Sequence, residues 1–510
     1  MTGGYPEPTT RRFITAAVMA ATVMNSLDAT IANVALPHME GSVSASADEI
    51  TWVLTSYIVA AAIMTPLTGW LAGQFGRKRL ILWSIIGFTI ASALCGLATG
   101  LTELVGFRFL QGMFGAALVP MSQAILLDIN PPERHGPAMA IWGMGAILGP
   151  IIGPTLGGYL TDNLSWRWVF YINIPVGALA FAGLLLFLSE TRDAERTRFD
   201  IFGFAMLALA IGSLQLMLDR GQTQDWFNSP EICIEGGCML LFGYLFVTHT
   251  LTAKRPFIEL ALFSDRNFLF GCVFGFFLGI VIYAVLALLP PMLETLMGYP
   301  VTLTGLVTAP RGVGTMISMI LVGQLIRRVD ARLLIFIGFI LCGYSMYRMA
   351  DFSLGMDESL VISSGLIQGL GTGLIFVPLT TISFATLPRR FRNEGAAMFT
   401  LIRNIGSAIG ISVLQAMTIR NAATVHSRLV EGIRPDNPVL QRAAPGFDFH
   451  LPAAVARMNA MVTRQAMMVS YIDAFWFLFI LTVAVIPLLL FMRNPRRAAS
   501  SEDDLHLHMD

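Results

Sequence analysis

The sequence predicts an all-α polytopic membrane protein with about fourteen transmembrane helices. Composition gives the first sign: of 510 residues, 55% are hydrophobic and only 13% charged, against about 25% charged in an ordinary soluble domain. Mean hydropathy agrees at +0.67. The third sign is a pattern. Apolar runs of about 20 residues, long enough to cross a bilayer as a helix, recur from end to end, with charged or Gly/Pro-rich punctuation between them. A net charge of zero leaves no electrostatic footprint for nucleic acid. The five cysteines show neither metal-ligand nor disulfide spacing and read as small buried hydrophobes.

Taken in order, the runs cover 13–36, 50–72, 80–99, 102–126, 137–160, 168–189, 200–219, 232–252, 268–292, 302–325, 333–350, 359–384, 396–418 and 472–492. The first is too long for a signal-peptide core and lacks a plausible cleavage site after it, so it reads as a retained span. Loop charge orients the set. Alternate short loops hold sixteen of the 33 Lys and Arg, among them Arg77, Lys78, Arg79, Arg134, Arg192, Arg327 and Arg389, and five more sit near the termini. The opposite short loops and their edges hold three, Arg167, Arg220 and Arg348. The excess predicts that both termini are cytoplasmic and that the long segment 419–471 is outside. The first half of that segment, with Pro435, Pro438 and Pro445, reads as irregular, and Pro452 to Ser470 as a methionine-rich helix.

Span 1 contains one formal charge, Asp28. A carboxylate in hydrocarbon costs a few kcal/mol on insertion scales, so such residues usually face a cavity or a partner. Asp28 lies roughly 12 Å from the outer end of its span, and Arg108 in span 4 roughly 9 Å, at 1.5 Å per residue. The two can therefore face each other. Asn25, Asp28, Ala29 and Ala32 share one small, polar face. Two roles are open to the pair: a proton-coupling carboxylate tuned by burial and Arg108, or a static ion pair joining two helices. Buried pairs stabilise poorly, which favours the first.

Span 5 repeats glycine at Gly145, Gly149, Gly153 and Gly157, followed by Gly158, with Pro150 and Pro154 between. Such a ridge admits a second helix at close range, and each proline removes a backbone donor and bends the helix. Arg311 and Arg403 fall within second-half spans and each needs an acceptor, with Glu294 and helix-end carbonyls as candidates. Glu235 reads as a solvated or capping residue, and Asp219-Arg220 with Asp225-Trp226 as a turn after span 7.

Two stretches recur at a separation of roughly 255 residues. Gly69-Trp70-Leu71-Ala72-Gly73-Gln74-Phe75-Gly76-Arg77-Lys78 follows span 2, and Gly323-Gln324-Leu325-Ile326-Arg327-Arg328 follows span 10. Leu110-Gln111-Gly112 leads to Pro120, and Ile367-Gln368-Gly369 to Pro378. Two related six-helix bundles, 1–190 and 267–492, with two helices inserted in 191–266 and a tail at 493–510, account for this. Repeats of this kind build secondary transporters, with the substrate site between the halves.

These stretches also carry a resemblance. LDATIANVALP at 27–37, GWLAGQFGRKR at 69–79, RFLQGMFG at 108–115, GPIIGPTLGG at 149–158, WRWVFYINIPVG at 166–177 and LDRG at 218–221 occur in one order. In this the chain resembles the 14-span drug:proton antiporters of the major facilitator superfamily, the EmrB-type efflux pumps. The resemblance implies the major facilitator fold in the bacterial inner membrane. It implies export of small hydrophobic or amphipathic compounds, driven by the proton gradient without a cofactor. It also implies a periplasmic adaptor (membrane fusion protein) and an outer-membrane channel as partners, for which 419–471 is the available contact. Asp28 with Arg108 is then the proton-coupling pair. Asn25, Gln111, Arg311 and Gln368 are candidates to line a cavity between spans 1, 4, 9 and 12, and the span 5 motif limits leak. The loop after span 2 departs from the family at Gly73, where an aspartate is frequent, so gating there rests on Gly69, Gly76, Arg77, Lys78 and helix ends. The same fold also serves uptake, lipid flipping, or export of a dedicated metabolite, fatty acid or lipid. A membrane enzyme or receptor would need a soluble domain or a polar cluster that the sequence does not show.

Overall fold

The structure is a computed structural model that describes residues 5–190, 199–326, 328–443 and 447–493. The tail 494–510 and several residues of the charge pattern (Arg192, Arg196, Arg198, Arg327, Arg496 and Arg497) lie outside the described residues, as do the side chains of Pro154 and Arg389. Among the described residues, twelve helices are long and apolar enough to cross a bilayer, and two bent helix pairs bring the spans to fourteen.

The first six are α1 (Pro8–Val43), α2 (Trp52–Met64 and Leu67–Phe75), α3 (Arg77–Leu97), α4 (Leu101–Ile129), α5 (His135–Asn163) and α6 (Trp168–Phe187). Next come α7 (Ile201–Arg220) and α8 (Pro230–Thr252). The last six are α9 (Arg266–Leu296), α10 (Val301–Leu325), α11 (Ala331–Met349), α12 (Glu358–Ala385), α13 (Arg392–Glu431) and α14 (Pro452–Val485).

Local chemistry sets the starts, stops and bends. α2 breaks by 57° at Pro66, which has no N–H to continue the ladder. Beside the break, hydroxyls add to the ladder, with Thr65 donating to the Ala61 carbonyl at 2.6 Å and Thr68 to the Thr65 carbonyl at 2.7 Å. α2 ends at Gly76, whose φ of 91° is open to glycine and strained for a residue with a Cβ. α5 bends by 41° between Pro150 and Thr155. Asp200 and Asp265 cap α7 and α9 by accepting from Gly203 N (2.9 Å) and Phe268 N (2.8 Å).

α1–α6 pack among themselves, as do α9–α14, with α7 and α8 paired beside them. The two sets meet along α5 and α10, at α5 and α12, and where the start of α13 lies against the ends of α2 and α4. On the side of the bundle opposite the chain termini, α7 lies between α2 and α13. Thr55 of α2 donates to Asp219, the Arg220 guanidinium covers the Trp52 ring at 4.9 Å, and Ser412 of α13 donates to the Leu218 carbonyl at 2.7 Å. Asp219 and Arg220 thus belong to the last turn of α7 and not to the turn after it, and both hold α2.

Two further expectations are corrected. The start of the 419–471 segment is helical, because α13 runs on to Glu431 without a Gly or Pro until Gly432. Forty residues at 1.5 Å make about 60 Å, twice the roughly 30 Å hydrocarbon core, so this end stands clear of a bilayer. A short helix, Pro438–Ala443, and the early start of α14 complete a helical cap. It is fastened by His426 to Asn459 at 3.0 Å and by Arg464 donating to the Leu296 carbonyl at 2.8 Å. Cys233, expected to be buried, is exposed on α8, because the inserted pair packs on one side only.

The glycine ridge of α5 lies on α1. A Cβ at Gly145 would meet Met19, at Gly149 the backbone of Ser26 and Leu27, at Gly153 the Thr30 hydroxyl, and at Gly157 Ile31. Gly158 is off the ridge, with Val34 at 3.9 Å from such a Cβ. Gly149→Val is therefore expected to destabilise the purified protein by about 1–3 kcal/mol or more, read as a lower thermal midpoint in detergent. Gly158→Val is expected to leave the midpoint within error.

Candidate functional site

Asp28 lies fully buried in α1, on the face that meets α4 and α6. Its carboxylate accepts three hydrogen bonds. Arg108 Nη1 donates to Oδ2 at 2.7 Å, while Gln111 Nε2 and Asn173 Nδ2 both donate to Oδ1 at 2.8 Å. Arg108 and Gln111 are three residues apart on α4, so they project from one face. The two are also joined directly, Arg108 Nη1 to Gln111 Oε1 at 2.8 Å.

A second ring of contacts fixes the first. Arg108 Nε donates to the Val53 carbonyl of α2 at 3.1 Å, and its guanidinium lies 4.3 Å from the Tyr57 ring centroid. The Tyr57 hydroxyl in turn donates to Asn25 Oδ1 at 3.1 Å. Asn173 also reaches Ser92 Oγ at 3.0 Å, and Ser92 donates to the Phe170 carbonyl at 2.9 Å. Helices α1, α2, α3, α4 and α6 all contribute. A proton added to Asp28 would turn an accepting oxygen into a donor and remove the charge that holds Arg108. The donor facing that oxygen would then lose its charged acceptor.

A second charged group lies on the termini side. Asp128, at the end of α4, pairs with Arg77 at the start of α3 and, at 2.9 Å, with Arg392 at the start of α13. Gly69 of α2 lies against the same end of α13, where a Cβ would meet the Glu394 backbone. This seam joins the two helix sets. Arg77 was among the residues the sequence singled out; Asp128 was not.

The four cavity candidates fall in different places. Asn25 is half-buried and holds Tyr57. Gln111 does not line an open space: it is fully buried and bonded to Asp28, because its position on α4 aims it along with Arg108. Gln368 is also fully buried, and both of its amide atoms lack hydrogen-bond partners. Arg311 donates to the Ile282 carbonyl at 2.8 Å and not to Glu294, which lies in the π turn Met292–Leu296 that closes α9. Gly145, Gly149, Gly153 and Gly157 bring α5 directly behind Asp28, and Thr30 donates to the Gly149 carbonyl at 3.3 Å. Pro150 and Pro154 flank the bend. Asn173, Ser92 and Tyr57 were missed. Asn173 stands in an aromatic-rich run, Trp168-Val169-Phe170-Tyr171-Ile172-Asn173-Ile174, where a lone amide was the available signal.

Two six-helix sets that meet within the membrane, one of them enclosing a carboxylate held by donors from several spans, have the architecture of a secondary transporter. The chain belongs to the Major Facilitator Superfamily, which it matches over residues 18–411. It is 36% identical over 499 residues to the multidrug export protein EmrB of Escherichia coli K12, covering 97% of each chain. It is 35% identical over 492 residues to the fatty acid resistance protein FarB of Neisseria gonorrhoeae, covering 95% and 96%. The fold also matches the human organic anion transporter MFSD10 and the proton:xylose symporter XylE, each with a TM-score of 0.60 and 14% identity. These matches cover 94% and 96% of this chain and 100% and 96% of the other. The protein is thus a multi-pass transporter of the bacterial inner membrane.

Removing Arg108 while leaving Asp28 would strand a buried charge. Arg108→Leu is expected to cost about 3–5 kcal/mol, and adding Asp28→Asn to it should recover a large part. Unfolding free energies of the two single variants and the double variant in mixed micelles test this; additive losses would refute the coupling.

Proposed function

We propose that this protein is a proton-driven antiporter that exports hydrophobic or amphipathic compounds from the cell, with no cofactor. The observation that carries this reading is the Asp28 carboxylate, fully buried and held by Arg108, Gln111 and Asn173. Asp28 is the proton site, and Arg108 the partner that is released when the proton binds. The bundles 1–190 and 267–492 rock against each other, and substrate passes between them. The seam of Asp128 with Arg77 and Arg392 closes the termini side. That side is cytoplasmic by the bias of loop arginines. The α5 ridge on α1 resists leak past the proton site.

The name of the Escherichia coli relative supports a range of drugs and toxic compounds as substrates. The second reading, a dedicated exporter of fatty acids or related metabolites, draws on the name of the Neisseria relative. It also draws on Arg311 and Arg403, for which no acidic partner occurs among the described residues. The helical cap formed by α13, Pro438–Ala443 and α14 is where a periplasmic adaptor would seat, leading to an outer-membrane channel.

Asp28→Asn keeps the shape and most of the hydrogen bonds but cannot cycle a proton. It is expected to express at the wild-type level and to lose proton-dependent efflux. The measurement is efflux from everted vesicles with and without a collapsed gradient, beside a drug-susceptibility panel in a deletion strain. Normal efflux by the variant would overturn the assignment.

A further inference from the structure

We propose that Trp142, Phe376 and Arg403 form a subsite for the carboxylate end of an amphipathic monocarboxylate, a fatty-acid-like anion. This rests on the export reading and names a substrate class for it. Arg403, in α13, is only 8% exposed. Among the described residues its guanidinium makes no ion pair and no hydrogen bond, and its Nε is buried without an acceptor. Its one close companion is the Phe376 ring of α12, 5.9 Å from Cζ to the centroid. Phe376 is stacked on Trp142 of α5 at 5.6 Å with 17° between planes. The Trp142 indole N–H is fully buried and also lacks an acceptor. One turn before Arg403 on the same helix, the buried Thr400 hydroxyl is unfilled as well.

Two helices, α13 and α5, therefore each bring an unused hydrogen-bonding group to the Phe376 ring of α12, in the region where the two helix sets meet. An unpaired buried arginine is costly, and a guanidinium and an indole N–H both offer donors only. The complement is a group that only accepts and carries one negative charge, which a carboxylate does in the bidentate geometry that arginine favours. The aromatic walls, with Met319 packed beside Phe376 over Gly143, suit an alkyl or aryl body. A cation would meet the wrong charge, and an alcohol would leave the guanidinium uncompensated. Arg403 lies eleven residues beyond Arg392 of the seam, or about 16 Å along the helix. The subsite is thus shut off from the termini side while Asp128 holds Arg392, and reached from that side when the pair parts.

The test is direct binding of dodecanoate and dodecanol to the full-length protein in lipid nanodiscs, with empty discs subtracted, for wild type, Arg403→Gln and Arg403→Lys. Wild type is expected to prefer dodecanoate over dodecanol. That preference should fall at least tenfold in Arg403→Gln and severalfold in Arg403→Lys, where a point charge replaces the fork. If Arg403→Gln does not fold, Arg403→Lys decides alone. An unchanged preference in the folded variant, or no preference in wild type, overturns the subsite. Binding needs no proton gradient, so the two readings fail separately. Wild type that binds dodecanoate yet exports nothing under an imposed gradient would sink the export reading alone. Wild type that exports but shows no preference would sink the subsite alone.

Discussion

The structure depends on how one carboxylate is kept in an apolar interior. Asp28 is fully buried, and the fold supplies a guanidinium and two amides at hydrogen-bond distance. Each donor has a price in position: Arg108 must be anchored by Val53 and Tyr57, and Asn173 by Ser92. The first six helices are arranged so that five of them reach this point. The glycine ridge of α5 serves the same end from behind, letting a sixth helix approach α1 at backbone range.

The two halves treat charge differently. In the first, the mid-membrane arginine is paired with Asp28 and enclosed. In the second, Arg311 has only a backbone carbonyl, and Arg403 only an aromatic ring. The repeated stretches relate the halves in sequence, yet their polar interiors are not copies. The first half pairs its buried arginine with a carboxylate, while in the second, among the described residues, Arg311 meets a backbone carbonyl and the Arg403 guanidinium no acceptor.

Much of this was legible in the sequence, for physical reasons. Apolar length alone gives the spans, and Asp28 and Arg108 stand out because charge is rare in such runs. Glycine at every fourth position announces a helix contact, although it does not name α1 as the partner. What escaped were features that depend on three-dimensional neighbours. Asn173 and Ser92 are ordinary polar residues until the packing of α6 on α1 and α3 gives them a carboxylate. Gln111 was visible, but its direction was not, because a side chain three residues from Arg108 can serve either an opening or the network behind it. Asp128, just past the end of the span 4 run, carried no signal of its own, yet it pairs with arginines of both helix sets. The extension of α13 was hidden by a hydropathy criterion, which sees where a helix leaves lipid and not where it ends.

The inserted helix α7 has a mechanical consequence. It is fastened to α2 through Thr55 and Trp52, and to α13 through Ser412, on the side away from the termini. Motion that parts α2 from α13 on that side must stretch or release one of these fastenings. A twelve-span relative without the insertion would have no such limit. The extra pair thus ties the two six-helix sets together on the side away from the termini.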